Sequence, residues 1–522
     1  MTTKTIGAIF ISLISFFANS GEIRMPAVSY RYSVDLRKLE NDQVKVVLHF
    51  RMGARPEKDR LQSMTFCLPK IVPGIYGAMD FGQNLTSIVA FDDAGQQLEI
   101  RKKDINRWEI LGEAEKVVYF INDGWEEFNE QKNGSYMSAE STFQENKAFV
   151  INHNTLFGYF EGYADKSIQL SIKKPSGFFG ATSLNRNKSS DTLDFYTAQN
   201  YRELVDNPVM YSLPDTTKFT VGGASITVAM YSTTGKKLSA EIAGHIRPLL
   251  EKQRLYLGGK LPVDHYTFIL YHNENPQQNN SMGDGLEHCH STVILMYMPL
   301  DLEMIKWNVY GIASHEFLHT VVPLGLHSEE IEFYDFNEPK LSKHIWMYEG
   351  TTEYFTMHMP VKEKAETLDE FLHKMETKLI QMDQFSNAQS LTYLSVNAIE
   401  NQQDYYNFYL KGALVNLCLD IRLRELSKGK YGMQQLIADL MEVYGPEKPF
   451  KDDMLFDEIA RISKFPEIRQ FLADYVEGTK PLPIQEYLSK VGISYDAETH
   501  TLTVVENPSK AQRCLRKAWI NL

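Results

Sequence analysis

The hydrophobic period of this chain changes once, near residue 235, and that change constrains the fold more than any other feature. From about residue 28 to 232, apolar residues recur at every second position. In QVKVVLHF (43–50), Val44, Val46, Leu48 and Phe50 alternate with Lys45 and His49, Val47 being the exception. SIQLSIKK (167–174) and SITVAM (225–230) repeat the habit. A period of two marks strands with one buried face. Pro69, Pro73-Gly74 and Gly222-Gly223 punctuate them. This half therefore reads as antiparallel sheet, in outline a sandwich. From about 237 onward the period becomes helical. SAEIAGHIRPLLEKQRLYLGG (239–259) reads as a helix ended by glycines, and DHYTFILYH (264–272) as a buried strand. Leu410, Leu414, Leu417 and Ile421 share one helix face; Met433, Ile437, Leu440 and Tyr444 share another, stopped by Gly445-Pro446.

The 522 residues are too many for one ordinary core, so two to four domains are expected. A net charge of −13 argues against a nucleic-acid partner and against an anionic membrane surface. The chain opens MTTKTIGAIFISLISFFANSG. A lone Lys4 precedes an apolar run from Ile6 to Phe17, and Ala18-Asn19-Ser20 supplies small residues before Gly21. That is the pattern of a signal peptide over residues 1–20. The run is shorter than the roughly 20 helical residues that span a bilayer. A secreted or periplasmic protein with no stable membrane insertion is expected. Cys67, Cys289, Cys418 and Cys514 form no CxxC pair, and the sequence selects no disulfide among them.

The chemistry centres on ASHEFLHTVV (313–322). His315-Glu316-Phe317-Leu318-His319 is HExxH. On a helix, residues four apart project from one face, so both imidazoles can reach one ion. Glu316 can lean over an open coordination position and take a proton from water there. Ala313, Phe317 and Val321 give the helix an apolar side, and Pro323 disfavours helix from Val322 onward. Buried histidines and a buried glutamate without a metal would be costly to desolvate. A catalytic zinc wants three protein ligands and one open position. Downstream candidates are His327, Glu329, Glu330, Glu332, Asp335, His344, Glu349 and Glu353. WMYEGTTEYF (346–355) stands out, because Glu349 and Glu353 repeat the i, i+4 spacing of the first helix. A second helix laid against the first can give Glu349 to the metal. Glu353 can then hold a ligand histidine in its tautomer.

HEFLH followed at this distance by WMYEGTTEYF resembles the glycyl aminopeptidase family of zinc metallopeptidases. MGDGLEHCHST (282–292) is similar to its Gly-rich LEH segment and YLKGALV (409–415) to its KGALV segment. YVEGTKPLPIQEYLSKVGI (475–493) looks like the end of its helical domain, and LPKIVPGIYGAMDF (68–81) like part of its β-domain. The resemblance implies one Zn2+ held by His315, His319 and Glu349, with Glu316 activating water. It implies that Glu287 binds the substrate's free α-amine, that Gly283 and Gly285 let backbone approach the substrate, and that Tyr409 steadies the oxyanion. Typical members end in a PDZ domain; residues 494–522 are too few for one.

The expected architecture is a multidomain α+β chain. It comprises a β-sandwich-like domain (21–232), a thermolysin-like zinc catalytic core (233–360), a helical part (361–493) and a short tail (494–522), a strand or two with a basic end. The expected activity is removal of small N-terminal residues (Gly or Ala) from a peptide or protein substrate. The alternatives are an endopeptidase in which Glu287 does not gate the N-terminus, and a peptide-binding homologue without catalysis, which would not need to keep Glu316. A purely structural zinc would call for four closed, cysteine-rich ligands.

Overall fold

The computed structural model describes residues 29–52, 60–125, 136–274, 283–297, 299 and 301–521. The signal-peptide pattern at 1–20 lies outside them. Val44–Arg51 forms a strand in which Val44, Val46, Leu48 and Phe50 are buried, as the alternation requires. It belongs to an eight-stranded sheet. A four-stranded sheet containing Ser63–Cys67 and Arg107–Leu111 shares its core. Phe66 lies 5.2 Å from Tyr119 and 5.9 Å from Phe160, while Phe50 meets Phe160 at 4.8 Å. These rings join the two sheets through large apolar areas. One pairing departs from the antiparallel expectation: Ser29–Asp35 runs parallel to Ser167–Lys173. The long excursion between those strands allows the crossover a parallel pair needs.

The sheet of the second unit has five strands: β1 (Thr216–Val221), β2 (Ala224–Ser232), β3 (His265–Asn273), β4 (Gly283–Glu287) and β5 (Ser291–Tyr297), in the order β1-β2-β3-β5-β4. The strand at 225–230 therefore corrects the expected boundary at 232. It pairs in parallel with β3 from Ser225↔His265 to Ser232↔His272, and so belongs to the second unit. Alternation identifies a strand with a buried face but not the sheet it joins, which long-range pairing decides. Phe268, Leu270, Ile294 and Met296 face the helices. Ile269, Tyr271, Val293 and Leu295 face Trp125, Val150 and Met210 of the N-terminal half. Coverage on both sides explains why β3 reads as an unbroken apolar run. The strand β4 is an edge.

Helices α1 (Ser239–Tyr256), α2 (Leu302–Leu318), α3 (Ile345–Lys362), α4 (Leu368–Met382) and α5 (Asn407–Leu426) complete the frame. Asp301 caps α2 by accepting from the Met304 amide at 2.9 Å. Thr367 and Glu370 form a capping box on α4. The tail was expected as strands with a basic end. It holds a hairpin of Ile493–Tyr495 and Leu502–Val504, then a helix, α6 (Lys510–Ile520). Ser509 and Gln512 make its capping box, the one local signal that marks this helix in the sequence. Fully buried Trp519 docks α6 on α3, donating from Nε1 to the Tyr354 hydroxyl at 2.9 Å. All four cysteines are free. Among the described residues no helix is long and apolar enough to cross a membrane.

Two fully buried histidines make stability depend on pH. His358 Nδ1 accepts from the Tyr256 hydroxyl at 2.7 Å, and Nε2 donates to the Trp519 carbonyl at 3.0 Å. Both ring nitrogens are satisfied in the neutral form, and burial pushes the group down to about 3. His153 Nδ1 donates to the Leu204 carbonyl at 2.8 Å, and burial pushes it down to about 4. Unfolding lets both take up protons near their ordinary value of about 6.5. Their contribution is complete above that pH and is lost as pH falls toward 4 and 3, at roughly 1 kcal/mol per pH unit each. Urea denaturation at pH 7 and pH 5 should show this loss. In His358→Gln the slope should flatten; an unchanged slope would rule out His358 as a source.

Candidate active site

His315 sits in the last turn of α2 and His319 caps it. Glu349 and Glu353 lie one turn apart on α3, which packs against α2. His315 Nδ1 donates to Glu353 Oε2 at 3.0 Å, and His319 Nδ1 donates to the Val322 carbonyl at 3.0 Å. With Nδ1 carrying the proton in each ring, each Nε2 keeps its lone pair. Both Nε2 atoms face one oxygen: Glu349 Oε2 is 3.4 Å from His315 and 3.6 Å from His319. That oxygen is buried and accepts no well-formed hydrogen bond. An orphaned buried carboxylate oxygen beside two bare imidazole nitrogens is costly unless a cation joins them. Metal–ligand distances near 2.1 Å in a tetrahedron separate neighbouring donors by about 3.4 Å, so this set suits a four-coordinate metal with one position left open.

Glu353 is itself held. Burial pushes its carboxyl up, but Lys378 at 2.8 Å and the His315 contact outweigh that and keep it well below the usual carboxylate range. Lys378, on α4, also donates to the Tyr409 carbonyl at 3.1 Å. One ammonium thus ties the support of His315 to the start of α5. His327 and His344, the other histidines considered downstream, are occupied elsewhere. The ring of His327 faces the Pro323 carbonyl and Glu332, each at 3.0 Å, and His344 Nε2 bonds the Asp452 carbonyl at 2.8 Å.

Glu316 is 8% exposed and points to the edge strand β4. A Cβ on Gly285 would meet Glu316 Oε1 at 2.7 Å and Ile312 at 2.6 Å, so only glycine lets β4 approach this closely. Gly283 meets the same helix in the same way, at Asn308 and Ile312. Glu287 ends β4 and is also buried. It shares a cluster with Glu316 and His319 whose donor atoms lie within 4.8 Å of one another. Burial pushes Glu287 up, with His319 partly offsetting it. Burial also pushes Glu316 up, reinforced by Glu287 and Glu349 and opposed by His315. Asp284, Glu287, Glu316, Glu349 and Glu353 all line this cleft, which favours cations.

Tyr409 stacks on His315 with ring centroids 5.6 Å apart, and its hydroxyl lies 2.5 Å from that of Tyr405. Tyr405 in turn contacts Tyr76 at 5.6 Å and Tyr136 at 6.2 Å. The cleft enclosed by these groups measures about 920 Å³. All the candidate site residues read from the sequence (His315, Glu316, His319, Glu349, Glu353, Glu287, Gly285 and Tyr409) line it. Sequence reasoning missed Lys378, Tyr76 and Tyr136. Tyr76 belongs to a loop of the N-terminal domain. Gly74 in that loop, at φ +88, sits where a Cβ would strike the Glu287 carboxylate at 2.7 Å. The PGIYG text carries the only local signal, a glycine flanked by apolar residues.

Two family models match, both of one family: the peptidase M61 N-terminal domain over residues 31–213 and the M61 glycyl aminopeptidase over residues 308–415. No curated protein matches. Solved structures share the fold. An aminopeptidase N family protein from Idiomarina loihiensis superposes with a TM-score of 0.73 at 21% identity, covering 89% of this chain and 78% of that one. An M1 zinc metallopeptidase from Deinococcus radiodurans gives 0.52 at 12% identity, covering 90% and 97%. A mutant of an M1 zinc metallopeptidase from the same organism, bound to a Tyr-Ser-Ala substrate, gives 0.54 at 12% identity, covering 88% and 96%. Family match and fold together define a metallopeptidase, a hydrolase of peptide bonds. The chain belongs to the M61 glycyl aminopeptidase family.

Proposed function

We propose that this chain is a zinc-dependent aminopeptidase with a thermolysin-like catalytic core. His315, His319 and Glu349 hold the ion. Zinc, when bound there, acidifies water and polarises a substrate carbonyl. Glu316 receives the water's proton on its carboxylate and delivers it to the nitrogen of the leaving amine. Tyr409, positioned by Tyr405 and by its stack on His315, donates a hydrogen bond to the oxygen that gains charge. Glu353 keeps His315 in the tautomer that presents Nε2.

Glu287 carries the aminopeptidase reading. Its carboxylate is buried at one wall of the cleft, close to Glu316, and among the described residues no lysine or arginine pairs with it. A substrate α-ammonium supplies the missing charge, and its distance from the metal sets the cut at one residue. Gly74 lies against Glu287, and the matching family model is that of a glycyl aminopeptidase. That favours Gly or Ala in first position. The mutant solved with Tyr-Ser-Ala shows that an enzyme of this fold accepts a short peptide. Turnover of Gly- and Ala-arylamides should exceed that of their N-acetylated forms by several orders of magnitude, and Glu287→Gln should abolish the difference. Equal turnover of the blocked substrates would favour the endopeptidase reading.

Export is part of the proposal, supported by the residue 1–20 pattern. The N-terminus of protein recovered from the periplasm or medium should be Gly21. A mature chain retaining Met1 would exclude cleavage.

A further inference from the structure

A second constellation of metal-ligating side chains lies outside the cleft. We propose that Asp264, His265 and His290 bind a divalent transition-metal ion separate from the catalytic one. Their donor atoms lie within 4.8 Å of one another. The two imidazoles stack with centroids 4.4 Å apart and planes inclined by 12°. His265 opens β3, and His290 immediately precedes β5, the strand paired with it in parallel. The backbone holds both in place. The His290 carbonyl accepts from the Thr267 amide at 2.9 Å and from Ser183 Oγ at 2.6 Å. The Asp264 carbonyl accepts from the Ser225 amide at 2.8 Å. The sheet thus fixes the backbone that carries both rings, and a side-chain rotation brings their nitrogens onto one ion.

His290 Nδ1 is buried and has no hydrogen-bond partner, although its ring is only partly covered. Burial, aided by the neighbouring His265, holds His290 below its ordinary value, so a lone pair is available at neutral pH. The Asp264 side chain is 88% exposed and can turn onto an ion. At present it accepts from His265 Nδ1 at 2.6 Å, a hydrogen bond that metal must displace. Two imidazoles and one carboxylate select zinc, nickel or copper over magnesium or calcium. With partial exposure and a proton to displace, this site binds more weakly than the centre in the cleft.

The test is calorimetric titration of the chelator-stripped full-length chain with Zn2+ alone. Two classes of site are expected. Glu349→Ala should remove the tighter class and leave the weaker one. His265→Asn and His290→Asn should each remove the weaker class, leaving the tighter one and the peptidase activity intact. His265 is a surface side chain, so its replacement does not threaten the fold. A single class that Glu349→Ala abolishes, or a weaker class that survives His265→Asn, would overturn the proposal. Neither result bears on the catalytic centre, whose failure would show as loss of the tighter class in the wild type.

Discussion

Glu349→Ala is expected to strip the protein of its catalytic zinc and of measurable activity while leaving the fold largely intact. Among the described residues, Glu349 Oε2 is the one carboxylate oxygen within 4.0 Å of both His315 Nε2 and His319 Nε2, at 3.4 and 3.6 Å. Alanine leaves two ligands, and two imidazoles do not retain zinc against dialysis as three ligands do. The deletion removes a buried carboxylate whose Oε2 has no well-formed hydrogen bond, so little stabilising contact is lost at that oxygen. The companion variant Glu316→Gln separates metal from chemistry. Glutamine keeps the shape that fits beside Gly285 but cannot take a proton. Zinc content should stay at one equivalent in the cleft while kcat falls by about 10²–10⁴-fold, the usual worth of a general base. Metal analysis and steady-state kinetics on both variants decide the matter. Full zinc occupancy in Glu349→Ala would reject the ligand assignment, and undiminished turnover in Glu316→Gln would reject the base.

What the sequence made legible follows the range of the interactions. HEFLH and EGTTEYF each carry their geometry locally, because i, i+4 spacing on a helix places both side chains on one face whatever surrounds it. The strand at 44–51 is legible for the same reason with period two. Lys378 is not. Nothing near HKMETK suggests that its ammonium binds Glu353 and the Tyr409 carbonyl, since both partners lie on other helices. Tyr76 likewise comes from the N-terminal domain, and only the tertiary fold brings it to Tyr405 beside the cleft. The alternation at 225–230 marks a strand but not the sheet it joins. Its partner, β3, follows only after the whole of α1. Helix α6 shows the limit in another form. A short polar helix has weak intrinsic stability and owes its place to Trp519 packed against α3.

Gly350→Ala should impair both stability and catalysis, and by more than Gly412→Ala. The two glycines face each other where α3 crosses α5. A Cβ on Gly350 would meet the Gly412 backbone, its carbonyl carbon at 2.5 Å and its Cα at 2.7 Å. Backbone cannot rotate aside as a side chain can, so the helices must separate. A Cβ on Gly412 meets Gly350 Cα and the Trp346 carbonyl at 3.1 Å, which a small shift relieves. Overpacking of this kind costs about 1–3 kcal/mol. The catalytic effect should be the larger one. Glu349 is the residue before Gly350, and Tyr409 lies one helical turn before Gly412. Separating α3 from α5 therefore moves a proposed ligand and the proposed oxyanion donor relative to each other. A displacement near 1 Å can cost about 10²-fold in rate. Denaturant unfolding and kcat measured on the two variants give the comparison. Near-wild-type behaviour of Gly350→Ala would mean that the helices can part without cost, and that the close crossing does not hold the site together.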